Sequence, residues 1–108
     1  MLSEDVLNQL KRIAQQSPKF EACGLVDDQN RVHPVKNASS TPAQNFVFDK
    51  REYFTFLRRL HEEGAKIVCV YHTHPSGSTL PSKADKEFAS RFPHPSLIVT
   101  KDSHRWVK

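Results

Sequence analysis

Cysteines, basic clusters and long apolar runs are all scarce in this chain, and each scarcity excludes something. Two cysteines, Cys23 and Cys69, are too few for a disulfide framework. Each sits in an apolar run, which reads as a buried free thiol suited to a reducing compartment. No apolar stretch approaches the ~18 residues of a membrane span, so no membrane partner is expected. The formal net charge is only +4 and no block of five or more basic residues occurs, so the pattern does not argue for nucleic-acid binding. There is no internal repeat and no low-complexity tract. The amino terminus, Met1-Leu2-Ser3-Glu4-Asp5, is acidic and amphipathic, unlike a secretory leader. The expected location is the cytoplasm.

What is present fits one domain spanning residues 1–108. That length buries a core without staples, so a bound metal would serve chemistry rather than folding. Ser3 predicts the cap of a first helix, with Glu4 and Asp5 in its first turn and Val6, Leu7, Leu10, Ile13 and Ala14 at helical spacing. Ser17-Pro18 ends it. Residues 21–26 read as a buried strand opened by a carboxylate, Asp27 to Asn30 as a polar turn, and 31–36 as a returning strand that Pro34 pushes to an edge. Residues 37–45 are small and polar, hence a loop, with a short strand at 45–48. Asp49 and Glu52 have capping-box spacing. Tyr53, Phe56, Leu57 and Leu60 form the buried face of the helix that follows, and Gly64 closes it. Residues 67–71 make a central strand. Ser82 caps a third helix carrying Ala84, Phe88 and Phe92 on one face. Residues 97–100 and 105–107 form the arms of a hairpin. Strands alternating with helices predict a layered α/β domain, a mixed sheet flanked by helices. The last strand runs to Lys108, as expected of the front part of a longer protein.

The chemistry lies in His72-Thr73-His74-Pro75-Ser76-Gly77-Ser78-Thr79-Leu80-Pro81-Ser82-Lys83-Ala84-Asp85. Residues i and i+2 of an extended chain point to one side, so His72 and His74 converge at the end of the central strand. Pro75 turns the chain out of the sheet, and Asp85 falls on the first turn of the next helix. Two imidazoles and a carboxylate, with a fourth position for water, is the pattern of a catalytic zinc site. Such a site needs a base and an oxyanion donor; Glu21 and Ser82 suit these roles. Ser-x-x-Asp is also an ordinary helix start, and both roles can coexist. A carboxylate before an apolar strand is ordinarily just solvated, and Glu21 is singled out by the Cys23-Gly24-Leu25 that follows it. His33, His61, His94 and His104 are assigned to the surface or to turns.

The spacing His-x-His-Pro, six residues, Ser, two residues, Asp resembles the signature of the JAMM metalloproteases, or MPN domains. His72, His74, Pro75, Ser82 and Asp85 match it. Glu21-Ala22-Cys23-Gly24-Leu25 resembles the glutamate-bearing strand of bacterial members. The resemblance covers nearly the whole chain and implies a fold similar to cytidine deaminase. It implies Zn2+ held by His72, His74 and Asp85, Glu21 as general base and proton shuttle, and the Ser82 hydroxyl on the oxyanion. The implied substrate is a peptide or isopeptide bond in a peptide or protein, such as a tail or ubiquitin-like protein. Pro-Ser-Gly after the histidines is similar to RadC-type proteins, whereas Glu-Ala-Cys-Gly-Leu is similar to phage tail-assembly proteins. The latter would place the chain in a phage tail. A non-catalytic MPN-type scaffold is a competing expectation, although no motif residue is missing. A nucleic-acid module is another, prompted by a pI near 9.3, but the aromatic residues fall at core spacing.

Overall fold

The structure is a computed structural model that describes residues 2–107; the expected arrival of the last strand at Lys108 lies outside the described residues. Helix α1 (Glu4–Gln16) starts where Ser3 accepts a hydrogen bond from the Val6 N–H at 3.2 Å. Strands β1 (Cys23–Asp27) and β2 (Val32–Val35) form a hairpin, followed by helix α2 (Lys50–Glu63) and strand β3 (Ile67–Thr73). Helix α3 (Lys83–Arg91) then crosses to β4 (Ser96–Val99), and β5 (His104–Val107) closes the sheet. The strand order is β2-β1-β3-β4-β5. Only β3 and β4 pair in parallel, because only there does a helical crossover join sheet neighbours. The mixed sheet and flanking helices are those expected from the sequence, with β3 at the centre and β2, carrying Pro34, at an edge.

Period-two alternation along β3 divides the core. Cys69 and Tyr71 face α1 with Val26, Leu97 and Val99, against Leu2, Val6 and Leu10. Val70 faces the other way with Leu25 and Val35, against Phe56, Leu60 and Ala65. Both cysteines are buried free thiols. Burial pushes each thiol up to about 12. Among the described residues, no helix is long and apolar enough to cross a membrane.

Several local expectations are corrected. Residues 45–48 form no strand; the segment makes a single bridge, Asn37 to Phe48. Asp49 does cap α2, accepting from the Glu52 N–H at 3.0 Å, but Glu52 turns to the Lys36 N–H at 2.8 Å, leaving half a capping box. Asp27 is the buried end of β1, not a turn residue: it accepts from the Gln29 and Arg31 backbone N–H groups and from Arg31 Nε, and it bonds His33 Nε2. His33 is therefore half-buried, tilted against Phe56. In α3, Ala84 is exposed and the buried residue is Asp85. The reason lies in what its carboxylate faces.

Candidate metal centre

His72 is the penultimate residue of β3 and shares the face of Val70, while His74 lies one residue past the strand end. Their Nε2 atoms stand 3.3 Å apart. Pro75 and the turn through Gly77, whose φ of 85° suits glycine, carry the chain round so that the Ser78 carbonyl lies 2.9 Å from His74 Nδ1. Ser82 then caps α3 with a full reciprocal box. Its hydroxyl accepts from the Asp85 N–H at 3.0 Å, and Asp85 Oδ2 accepts from the Ser82 N–H at 2.9 Å. The box fixes the rotamer of Asp85 and aims both oxygens at the histidines: Oδ1 is 3.1 Å from His72 Nε2 and Oδ2 is 2.9 Å from His74 Nε2. Capping and site formation are thus two uses of one carboxylate.

Glu21 arrives by register. Cys23 pairs with His72 across β1 and β3. The pairing continues one residue further: the Thr73 N–H donates to the Ala22 carbonyl at 2.8 Å, and the Thr73 hydroxyl accepts from the Ala22 N–H at 2.9 Å. Two residues before Cys23, Glu21 emerges on the same face as His72. It is only 5% exposed, and its Oε1 has no hydrogen-bond partner. One ligand atom from each of Glu21, His72, His74 and Asp85 lies within 4.8 Å of all the others.

The electrostatics follow from this crowding. Burial raises Glu21 to about 7; the negative charge of Asp85 adds to the rise and His74 opposes it. Burial also pushes Asp85 upward, but the hydrogen bonds of His72 and His74 outweigh it and hold the carboxyl well below its ordinary range. Burial lowers His72 despite its bond to Asp85. It would lower His74 too, but Asp85, the Ser78 carbonyl and Glu21 together raise that imidazole.

A divalent cation fits this donor set. His74 Nδ1 faces a carbonyl, so it carries the proton, and the Nε2 of a neutral ring presents a lone pair. One ligating atom from each of His74, His72, Asp85 and Glu21 lies within 4.8 Å of the others, within reach of a single ion. A cation in place of the imidazole protons would meet all four groups at once, and two imidazoles with a carboxylate match zinc. Beside the cluster is a cleft of about 310 Å³ lined by Glu21, Gln44, His74, Ser76, Leu80 and Ser82, among others.

Sequence reasoning missed Phe46. Its ring stacks on His72, centroids 4.5 Å apart and planes 23° from parallel, and meets Phe88 edge-on at 4.9 Å. It lies in the segment expected as a short strand at 45–48, and nothing local in the sequence points that ring at His72. His33, His61, His94 and His104 lie outside the cluster.

A mixed five-stranded sheet with four convergent ligating groups at the end of its central strand defines a layered α/β domain built around a candidate metal centre. The chain belongs to the prokaryotic homologs of the JAB domain, whose family model matches residues 3–107. It is 29% identical to a desampylase of Haloferax volcanii over 96% of this chain and 82% of the relative. It is 35% identical to a probable TtuB-protein conjugate cleaving protease of Thermus thermophilus, over 59% of this chain and 44% of the relative. With tail tip assembly protein K of Escherichia phage N15 the identity is 32%, over 61% of this chain and 26% of the relative. The chain thus matches less than half the length of the last two. The solution structure of a protein from Desulfitobacterium hafniense superposes with a TM-score of 0.77 at 26% identity, over 97% of this chain and 79% of that one.

Proposed function

We propose that this chain is a zinc-dependent metallopeptidase of the JAMM type that hydrolyses an isopeptide or peptide bond in a protein conjugate. The observation that carries the reading is the convergence of His72, His74, Asp85 and Glu21 within 4.8 Å beside an open cleft. His72, His74 and Asp85 would hold the metal. When bound, zinc supplies Lewis acidity and brings the pKa of water from 15.7 toward ~7.

The chain's own residues do the rest. Glu21, buried beside the metal ligands with one carboxylate oxygen free, serves as the base: it takes a proton from the attacking water and returns it to the leaving amine. The Ser82 hydroxyl accepts the Asp85 N–H through its oxygen, which leaves its own proton free to donate to the developing oxyanion. Names among the relatives, a desampylase and a probable TtuB-protein conjugate cleaving protease, support a protein conjugate as substrate. The phage tail relative supports a second setting for the same chemistry, in which a tail protein is cut.

The test is hydrolysis of a lysine isopeptide carrying a Gly-Gly-ending peptide by the purified zinc-loaded protein. About one equivalent of zinc, loss of turnover with a chelator and loss of turnover in Glu21→Ala with zinc retained are expected. Turnover by Glu21→Ala at the parent rate overturns the mechanism.

A further inference from the structure

Glu21 lies outside the β1 ladder, and its backbone is fastened elsewhere. Its N–H donates to the Pro42 carbonyl at 2.7 Å, and its carbonyl accepts from Asn37 Nδ2 at 2.8 Å. Both partners belong to the segment from 37 to 48, which bridges β2 and α2. This segment has no ladder of its own beyond the bridge from Asn37 to Phe48. One side chain accounts for much of its order. Asn37 Nδ2 donates a second bond to the Asn45 carbonyl at 3.0 Å, while Oδ1 accepts from the Ser39 N–H at 3.0 Å and the Val47 N–H at 3.1 Å. Two donors and two lone pairs are the full capacity of a carboxamide, and all are used. Aspartate lacks the donors, serine offers only one, and glutamine is longer by a methylene.

These four bonds reach both sides of the cluster. One holds Glu21. Two others fall on Asn45 and Val47, which flank Phe46, and Phe46 stacks on His72 at 4.5 Å. We propose that Asn37 is a positioning residue for the centre: its carboxamide locks the 37–48 segment and thereby sets Glu21 and the Phe46 ring relative to His72. The proposal rests on the reading of Glu21 as the base. Asn37 itself is not placed in contact with substrate. Its effect is to hold a carboxyl and a ring within the tolerance that catalysis requires, since misplacement by about 1 Å can cost ~100-fold.

The experiment compares the parent with Asn37→Ala and Asn37→Asp, each as the whole chain. Two readouts are taken: turnover of the Gly-Gly lysine isopeptide by the zinc-loaded proteins, and amide hydrogen exchange of the metal-free proteins. Both variants should lose about 10–100-fold in kcat, with KM and zinc content close to the parent's. Asn37→Ala should speed exchange at Glu21, Ser39 and Val47. Asn37→Asp retains the two acceptances but loses the donors to the Glu21 and Asn45 carbonyls, so it should leave Ser39 and Val47 protected and speed exchange at Glu21, whose N–H bond to Pro42 depends on the segment staying tied to it. Should Asn37→Ala fail to fold, the nearly isosteric Asn37→Asp carries the test. Parent-like kcat in Asn37→Asp, or parent-like exchange at Glu21 in either variant, overturns the proposal. A parent that leaves the isopeptide intact counts against the peptidase reading alone, because exchange at the Glu21 N–H, bonded to Pro42, still decides whether Asn37 fastens the segment to Glu21.

Discussion

Cys23 stands directly opposite His72 in the antiparallel register of β1 and β3. This pairing brings Glu21 to a cluster that lies about fifty residues later in sequence. A slip of one residue would turn Glu21 to the α1 face and leave the three remaining groups without it.

Glu21 carries opposite consequences for stability and activity. Its carboxyl is raised from 4.5 to about 7 in the metal-free protein. A raised acid favours the fold below about 4.5, and that contribution is lost as pH climbs toward 7. At pH 8 the metal-free protein therefore holds an unfavourable buried charge. Glu21→Gln should stabilise it by about 1–3 kcal/mol at pH 8, with the difference vanishing below about pH 4.5, as read by denaturant melts across pH. The same variant should lose about 100-fold or more in kcat with zinc still bound.

Asp85 both caps α3 and faces the histidines, and two substitutions separate these roles. Asn keeps an oxygen for the Ser82 N–H, so Asp85→Asn should preserve the helix while zinc affinity falls about 100-fold or more. Asp85→Ala should lose the metal and in addition weaken the helix start by about 1 kcal/mol. Zinc titration calorimetry and thermal melts of the metal-free forms distinguish the two; equal melting of both variants would remove the capping role.

Phe46 supports His72 from outside the cluster. Phe46→Ala removes the stacked face and the contact with Phe88. It should cost about 1–3 kcal/mol of stability and about 10-fold in zinc affinity. Phe46→Leu should recover most of the stability and less of the affinity, because a branched aliphatic chain fills space without orienting a ring.

Gly24 lies opposite Tyr71. A Cβ placed there would fall 2.6 Å from the Tyr71 ring and hydroxyl and would also press on the His33 carbonyl. Tyr71 is completely buried in the α1-side core, and the His33 carbonyl is backbone that cannot swing aside. Gly24→Ala should therefore destabilise by about 1–3 kcal/mol or more, and pairing it with Tyr71→Phe should relieve little, since the ring remains. Melting of the single and double variants checks this.

Asp27 tests the far end of β1. Burial pushes its carboxyl upward, but hydrogen bonds from His33, the backbone of Arg31 and Gln29, and the Arg31 side chain hold it below 3.8. A depressed acid contributes stability above its ordinary value and loses it as pH falls through the folded one. Asp27→Asn should cost about 1–3 kcal/mol at pH 7. The gap from the parent should narrow as pH drops below about 4, measured by urea unfolding at several pH values.

The sequence by itself determined whatever local geometry controls. Ser3, Asp49 and Ser82 cap their helices as their positions required. The β-branched run before Tyr71 became the central strand, and His72 and His74 converge because a strand repeats every two residues. Asp85 joins them because a capping box fixes its side chain. Tertiary structure decided what depends on distant partners. Asp27 became buried only because Arg31 and His33 return to it across the hairpin. Residues 45–48 make no ladder; the Asn37 side chain takes the Asn45 carbonyl and the Val47 N–H in place of a neighbouring strand. Phe46 reached His72, and Glu21 entered the cluster, through strand register and loop packing. Both depend on long-range hydrogen bonds, and no sequence period encodes them.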